Sequence, residues 1–376
     1  MKTPQGINSI APLLREKVST LEMQNHVMTL NEKTVEALNP GQTAVDWSDC
    51  PVYALTKELQ FRDPMSHFYY FAFMGGLHIE QTALVTFGQL IQGCGLLETL
   101  QQNKFSTLGL SAAVDVNSIT QARYGLQVLM CALYAKLKGY ITSLKCSEEP
   151  LLWLSKKAKH NSMCLFLFLV MTLGFQILLY VRSIREGNFK LQVEMLRKLV
   201  IWFFIFDYYH YAKWVTVHLF ELMTLQYLHP DVYEEAANGS FSFRKTNRQF
   251  SRMSLDQVHE QNNAVIKGKA GVTDLLNRSE ESGLIRWETV GPEISRTLND
   301  LEEDFSPTDS DTTEKSLPHH QDNKGSQQSF CNDVKVLING IHCNPFALTS
   351  LVMINDTSCF TAFGDFTKVT VPVKTG

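Results

Sequence analysis

The stretch F-Y-Y-F-A-F-M-G-G-L-H-I-E, from Phe68 to Glu80, decides the fold of this chain. Its first seven residues are all apolar or aromatic, a pattern typical of a strand that is buried on both faces. The two glycines that follow, Gly75 and Gly76, permit a bend or the close approach of another segment to the backbone. His78 comes just after the strand, where it is either a site residue or a structural histidine at the edge of the core.

A second candidate strand lies upstream, in the segment T-A-V-D-W-S-D that ends at Asp49. Apolar residues at helical spacing follow it, namely Val52, Leu55 and Leu59. We therefore expect Asp46 and Asp49 to lie where a strand delivers carboxylates at its carboxyl end. A helix over residues 8–38, closed by Asn39-Pro40-Gly41, is predicted to precede this strand.

Polar residues of several chemical types are concentrated in S-L-D-Q-V-H-E-Q-N-N-A-V-I-K-G, from Ser254 to Gly268. At about 100° per residue, a helix here has a polar stripe and a separate apolar arc. The stripe consists of Asp256, Glu260, Asn263 and Lys267, and the arc of Leu255, Val258, Val265 and Ile266. Carboxylate oxygens suit Mg²⁺ or Mn²⁺, and a two-metal nuclease site also needs carboxylates from elsewhere in the chain. The alternative is a solvated helix face with an acid–lysine pair.

Composition favours an intracellular globular protein. The net charge of −4 gives no overall basic field, so any nucleic-acid surface would have to be local. The eight cysteines are scattered without a C-x-x-C pair, which favours reduced thiols over a disulfide framework or a structural zinc site. The first residues, M-K-T-P-Q-G, lack the apolar region of a secretory signal, so we expect a nuclear or cytoplasmic protein.

Within a long region of helical pattern, the apolar segment from Met163 to Val181 reaches the minimum length of a membrane span. Positive residues flank it on both sides, so charge assigns no orientation; they are Lys156, Lys157 and Lys159 before it, and Arg182 and Arg185 after it. Two interpretations remain open. The segment is either a central helix buried in a protein core or a single span that anchors the protein in a membrane.

Two further segments carry candidate site residues. The aromatic stretch W-F-F-I-F-D-Y-Y-H-Y-A-K-W-V-T-V-H is either core or the wall of a site formed by Asp207, His210, Lys213, Trp214 and His218. The stretch S-F-S-F-R-K-T-N-R-Q-F-S-R alternates basic and aromatic residues, which suits a surface that follows a nucleic-acid backbone and equally suits an exposed hairpin. The candidate nucleic-acid contacts are Arg244, Lys245, Arg248, Arg252 and Lys267.

The C-terminal region is predicted to differ from the rest of the chain. Residues 306–329 are polar and poor in aliphatic side chains, which indicates a disordered linker. A short tail over residues 330–376 follows, with the strand-like segments V-K-V-L-I-N and T-K-V-T-V-P-V.

Five motifs, taken in order, resemble a large set of uncharacterised, multicopy animal proteins that are thought to derive from DNA transposons. They are D-C-P-V-Y-A-L-T-K-E-L-Q-F, G-G-L-H-I-E, W-F-F-I-F-D-Y-Y-H-Y-A-K-W-V-T-V-H, L-D-Q-V-H-E-Q-N-N-A-V-I-K-G and I-R-W-E-T-V-G-P-E-I. The resemblance covers about residues 8–305. The chain is also similar to the C-terminal part of Mutator-like transposases of the ribonuclease H-like fold. There, a strand ending in Asp precedes a helix, a Cys-x-x-His segment follows a second strand, and a Glu-Ser-x-Asn helix supplies the last acid.

This resemblance implies roles for three residues. Asp49 matches the strand-end Asp, His78 matches the Cys-x-x-His segment without its cysteine, and Glu260 begins E-Q-N-N, which matches the final helix. Asp49 and Glu260 would be residual metal ligands, close enough to share one divalent ion, with His78 beside them. The chain has no room for the first acid of that family. The resemblance therefore implies a remnant that binds Mg²⁺ or Mn²⁺ weakly and does not cleave DNA.

The predicted fold is an α-rich α/β fold, with a partial ribonuclease H-like sheet, a large helical insertion and a disordered linker near the C-terminus. Residues 1–305 form the transposase-like core in this interpretation, with the insertion over about residues 81–250. DNA is the expected partner. The alternative is a single-span membrane-anchored or helical interaction protein without catalytic activity, in which residues 163–181 form the span.

Overall fold

The computed structural model of the 376-residue chain describes residues 20–96, 116–244, 246, 249–261, 324–341 and 345–346. Helices dominate these ranges, which confirms the α-rich character. They are α1 (Leu21–Leu38), α2 (Cys50–Arg62), α3 (Gly76–Leu90), α4 (Val116–Ser143), α5 (Pro150–Ala158), α6 (Ser162–Glu186), α7 (Phe189–Ile205), α8 (Tyr209–Leu228), α9 (Pro230–Ala237), α10 (described over residues 255–261) and α11 (Lys324–Gly340). The strands in these ranges are β1 (Ala44–Ser48), β2 (Tyr70–Met74), β3 (Ser242–Arg244) and β4 (Arg252–Ser254).

The β1–α2–β2 segment forms a parallel pair of strands. The register pairs the last residues of the two strands, Ser48 and Met74, so both strands end at the same edge. All five residues of β2 are buried, which confirms the prediction of a strand covered on both faces. α2 begins at Cys50, directly after β1, with Asp49 as its N-cap. The predicted strand, acid and helix therefore follow one another in the expected order.

Two further local predictions hold where the structure describes them. The helix expected over residues 8–38 is present from Leu21 onward, with Thr20 as its N-cap, while residues 8–19 lie outside the described ranges. β3 and β4 pair in antiparallel fashion, which confirms the hairpin interpretation of the basic and aromatic stretch.

α6 is the helix around which most other elements pack. It contacts α3, α4, α5, α7 and β4. Leu167 and Leu173 are buried on it, whereas Leu165 and Leu179 are exposed. Within the described ranges, α6 is also the one helix that is long and apolar enough to cross a membrane by length and composition. In this structure the apolar segment packs as the central helix of a helical core.

α11 corrects the prediction for the C-terminal region. Residues 324–329 are helical rather than disordered, and V-K-V-L-I-N at residues 334–339 is helical rather than a strand. The short run of β-branched residues suggested a strand. The side chains that become buried nevertheless follow helical spacing, so another helix can pack against them. The remaining linker residues, 306–323, and the segment T-K-V-T-V-P-V lie outside the described ranges.

The partner of α11 is α4. Leu337 is fully buried in the core to which α11 belongs. Lys136 on α4 donates a hydrogen bond from Nζ to the backbone carbonyl of Ile341, at 2.8 Å. The hydroxyl of Tyr124, also on α4, donates to the carboxylate of Asp333. These contacts supply the tertiary support that a polar sequence of this kind lacks on its own.

Two leucines of α6 provide a matched test of this packing. Leu173 is fully buried, whereas Leu165 is 44% exposed. We expect Leu173→Ala to lower the free energy of unfolding by about 2–5 kcal/mol, because burial is lost and a cavity remains. Leu165→Ala should change it by about 0.5 kcal/mol or less. Chemical denaturation of both variants beside the wild-type protein measures the difference, and equal losses would contradict the described packing.

Candidate functional site

Two helices begin at the edge where β1 and β2 end. At the start of α2, the side chain of Asp49 accepts a hydrogen bond from the backbone N–H of Val52, at 3.1 Å. α3 starts at Gly76, and its N-cap residue, Gly75, has no side chain with which to cap it. The first N–H groups of α3 are bound instead by Asp256, which belongs to α10. The carboxyl edge of the strand pair thus gathers two helix N-termini and two carboxylates.

Asp256 is the central residue of this site. Its Oδ2 atom accepts hydrogen bonds from the backbone N–H groups of Leu77, at 2.9 Å, and of His78, at 3.3 Å. The ring Nδ1 of His78 lies 3.0 Å from the same oxygen. Asp256 is only 5% exposed. The N–H groups and positive end of α3, together with His78, therefore replace water around this buried charge.

Gly75 allows Asp256 to come this close. A Cβ atom on Gly75 would lie 2.4 Å from Oδ2 of Asp256, which is too short for any nonbonded contact. The backbone φ of Gly75 is −58°, so space rather than backbone conformation requires glycine here. The predicted close approach to the glycine pair is confirmed, and the approaching group is a carboxylate.

His78 and Asp256 shift each other's pKa. The hydrogen bond to Asp256 raises the pKa of His78 above its ordinary value of 6.5, and the charges of Asp256, Asp49 and Glu260 add to this effect. Burial alone would raise the pKa of Asp256, but the hydrogen bonds from His78 and from the Leu77 backbone outweigh it and hold that pKa below 3.8. A positively charged imidazole and a negatively charged carboxylate are therefore favoured together.

Of the three predicted site residues, His78 makes a direct contact with an acid. Asp49 and Glu260 are half-buried, and both are close enough to His78 for their charges to raise its pKa. The acid in direct contact with His78 is nevertheless Asp256, one helical turn before Glu260. The interpretation of the 254–268 stripe as a solvated face is therefore wrong for Asp256. Two sequence signals were consistent with this contact: the spacing of four residues between Asp256 and Glu260, and the glycine pair, which permits either a bend or a close approach.

The described carboxylates are a poor fit to a divalent metal ion. Both oxygens of Asp256 accept hydrogen bonds from the Leu77 backbone, and one oxygen of Asp49 caps α2. Mg²⁺ and Mn²⁺ require carboxylate oxygens that are free to coordinate them. Among the residues that the structure describes, no three His, Cys, Asp or Glu side chains are grouped so that they could hold a metal ion.

The second predicted set of site residues does not converge. Trp214 and His218 are buried in the core, while Asp207, His210 and Lys213 are exposed. Burial, together with the charge of Lys57, lowers the pKa of His218 to about 3, so this histidine is neutral. For Trp214 and His218, the interpretation as core aromatics is confirmed.

The core beside His218 contains an ion pair that the sequence did not indicate. Lys57 on α2 is 1% exposed, and its Nζ lies 2.7 Å from Oε1 of Glu221 on α8. The hydroxyl of Tyr53 donates to the other oxygen of Glu221, also at 2.7 Å. Burial lowers the pKa of Lys57, and Glu221 opposes that shift. No motif distinguishes Lys57 from an ordinary exposed helical lysine, so only the tertiary structure identifies this pair.

The predicted nucleic-acid contacts are only partly described. Arg244 is exposed on β3, whereas Arg252 on β4 points inward and donates from Nη1 to the backbone carbonyls of Gly239 and Ser242. Lys245, Arg248 and Lys267 lie outside the described residues. Arg252 is half-buried, and these bonds fix the position of its guanidinium.

Comparison with known proteins gives one match. The family described as "Domain of unknown function (DUF8702)" matches residues 154–362. No curated protein and no solved structure matches the chain. The matched range contains Asp256 and Glu260 but begins well after Asp49 and His78.

The His78–Asp256 pair predicts a pH window of stability. Because the pKa of Asp256 is lowered on folding, its contribution is present above about pH 3.8 and is lost as pH falls through the folded value. Because the pKa of His78 is raised, its contribution is present below about pH 6.5 and is lost as pH rises through the folded value. We expect His78→Gln to remove the loss of stability that follows deprotonation of His78 as pH rises. The measurement is the free energy of unfolding of the wild type minus that of the variant, taken across this pH range.

NMR titration of the His78 imidazole tests the cause directly. Asp256→Asn should lower the pKa of His78 substantially, because it removes the hydrogen-bonded charge. Glu260→Gln is the matched control on the same helix, and it should lower that pKa only slightly because Glu260 acts through space. Equal shifts in the two variants would show that Asp256 is not the dominant partner.

Proposed function

We propose that this chain, which belongs to the DUF8702 family, is a transposon-derived, nuclease-like protein that has lost catalysis. The observation that supports this proposal best is the position of Asp49 and His78 at the carboxyl edge of two parallel strands, where the helix that carries Glu260 is bonded to His78 through Asp256. A strand-end acid, a histidine after the next strand and an acid on a late helix are the three elements that the resemblance to Mutator-like transposases implies. The β1–α2–β2–α3 order is compatible with part of a ribonuclease H-like fold.

Loss of catalysis follows from how the carboxylates are used. In-line cleavage of a phosphodiester by two metal ions requires carboxylates that hold both ions. In the described site Asp256 binds the N-terminus of α3 and His78, and Asp49 caps α2. Glu260 is the acid of this cluster that carries no structural bond among the described residues. We therefore propose weak binding of Mg²⁺ or Mn²⁺ at most, and a cellular role that rests on binding DNA.

The site also explains why the bonds of Asp256 are difficult to exchange for metal bonds. Withdrawing its carboxylate would leave the buried N–H groups of Leu77 and His78 without an acceptor, which costs roughly 1–3 kcal/mol for each group. A protonated His78 would then face the metal at close range and repel it. The same residues that resemble a catalytic centre thus stabilise the junction of β2 and α3.

Paramagnetic Mn²⁺ provides a sharp test on the full-length protein, with His78 as the reporter. We expect broadening of the His78 imidazole signals only near about millimolar Mn²⁺, the weak end of divalent-ion binding by proteins. Broadening should decrease in the Glu260→Gln variant. The control is His210 on α8, a histidine that is exposed and lies outside the site. Equal broadening of both histidines would overturn the residual metal site.

The same protein preparation is then incubated with single- and double-stranded DNA and Mn²⁺. We expect no strand cleavage. Cleavage that Asp49→Asn and Glu260→Gln abolish would support the nuclease ancestry and overturn the proposed loss of catalysis.

A second candidate function is a membrane-anchored interaction protein. The observation that favours it is α6, whose length and composition would allow it to cross a membrane. Carbonate extraction of membranes from cells that express the full-length chain distinguishes the two candidates. On the leading proposal the protein is recovered in the soluble fraction, and retention in the carbonate-washed pellet would favour the anchor instead.

A further inference from the structure

A recess lined by arginines lies beside the His78–Asp256 site. It is bounded by α3, α4, α6, β4 and α10, and the charged and polar residues that line it are Glu80, Arg123, Arg185, Arg252, Ser254 and Gln257. Arg123 is close enough to Asp256 for that charge to raise its pKa, which places the recess next to the acid site. The recess is distinct from the residues that the resemblance assigns to a metal site, because Asp49, His78 and Glu260 do not line it.

Glu80 forms a salt bridge with one of the three arginines. Its carboxylate is 1% exposed and accepts hydrogen bonds from Nε and Nη2 of Arg123 in a bidentate pair. Both carboxylate oxygens of Glu80 therefore accept hydrogen bonds from the same guanidinium group, that of Arg123. The other two arginines, Arg185 and Arg252, have no carboxylate partner of this kind among the described residues.

Arg185 makes no salt bridge with any residue that the structure describes, although it lies near the end of α6 at the mouth of the recess. Arg185 is exposed, and partial desolvation and the charge of Arg123 lower the pKa of its guanidinium, whereas the charge of Glu80 raises it. Arg182, one turn earlier on the same helix, provides a contrast. It is 58% exposed, and its guanidinium is bonded to Glu186 at 2.6 Å.

Arg252 is positioned by two glycines. Cβ atoms on Gly187 and Gly239 would lie 2.8 and 2.9 Å from its guanidinium group, and both glycines have positive φ, at 72° and 94°. Backbone carbonyls of Gly239 and Ser242 accept from Nη1, but carbonyls carry no full charge. The positive charge of Arg252 is therefore oriented by the fold without being neutralised by these bonds.

We propose that this recess binds a phosphate group, held by Arg185 and Arg252 with the amide of Gln257 beside them. Planar guanidinium groups form bidentate hydrogen bonds with phosphate oxygens. Two guanidinium groups that line one recess without a salt bridge to any described residue favour an anionic oxygen ligand. The phosphate belongs either to a nucleic-acid backbone or to a free phosphate compound. The nucleic-acid source rests on the proposed function, whereas phosphate binding itself does not.

Arg185→Gln and Arg182→Gln form a matched pair for the test. Both remove one positive charge from the exposed part of α6, but only Arg185 lines the recess. Binding of a fluorescent single-stranded DNA oligonucleotide by the full-length protein is measured by anisotropy over a range of salt concentrations. We expect Arg185→Gln to weaken binding about tenfold, as for loss of one charge-assisted hydrogen-bonding group. The slope of log K against log salt should decrease by about 0.7, and Arg182→Gln should bind like the wild type.

Isothermal titration with inorganic phosphate separates the two sources. Phosphate binding that is lost in Arg185→Gln and retained in Arg182→Gln supports the site, and absence of oligonucleotide binding in that case assigns it to a free phosphate compound. The proposal is overturned if wild-type protein binds neither probe, if both variants lose binding equally, or if Arg185→Gln leaves binding unchanged. Because the Mn²⁺ measurement reads His78 and not Arg185, failure of either proposal is distinguishable from failure of the other.

Discussion

The bond between the Asp256 carboxylate and the N-terminus of α3 is the constraint on which the rest of the structure depends. It joins two segments separated by 179 positions along the chain. A carboxylate at 5% exposure is tolerable only where donors surround it, and here backbone N–H groups and His78 supply them. Satisfying this one charge fixes α10 against the end of β2. It thereby determines where Glu260 and the β3–β4 hairpin lie.

Parts of the fold that depend on local pattern could be predicted from the sequence. The buried strand β2 follows from a continuous apolar run, and Asp49 follows from an acid between a short strand and a helix. The glycine pair correctly indicated that another group approaches the backbone closely. Each of these features has a local physical cause. The causes are burial on both faces for β2, helix capping for Asp49 and the absence of a side chain for the glycine pair.

Other features depended on partners that are distant in sequence. The ion pair of Lys57 and Glu221 forms because α2 packs on α8, and neither residue lies in a distinctive motif. α11 is helical because α4 offers it an apolar surface, which outweighs the strand preference of V-K-V-L-I-N. Asp256 was recognised as part of a polar stripe, but its burial depends on the position of α3. Sequence patterns indicated which polar residues belong to the candidate site, but not which of them are bonded to one another.

The packing of α6 against α3 has a consequence for what can fold independently. The family match begins at residue 154, so it includes α6 and Asp256 but excludes α3. A fragment cut at that boundary would expose the face of α6 that α3 covers, and would leave the Asp256 carboxylate without its three donors. We therefore expect that the matched region does not fold independently of α3. Recombinant truncations are better placed upstream of α1, so that α1, the strand pair and both capped helices stay on one polypeptide.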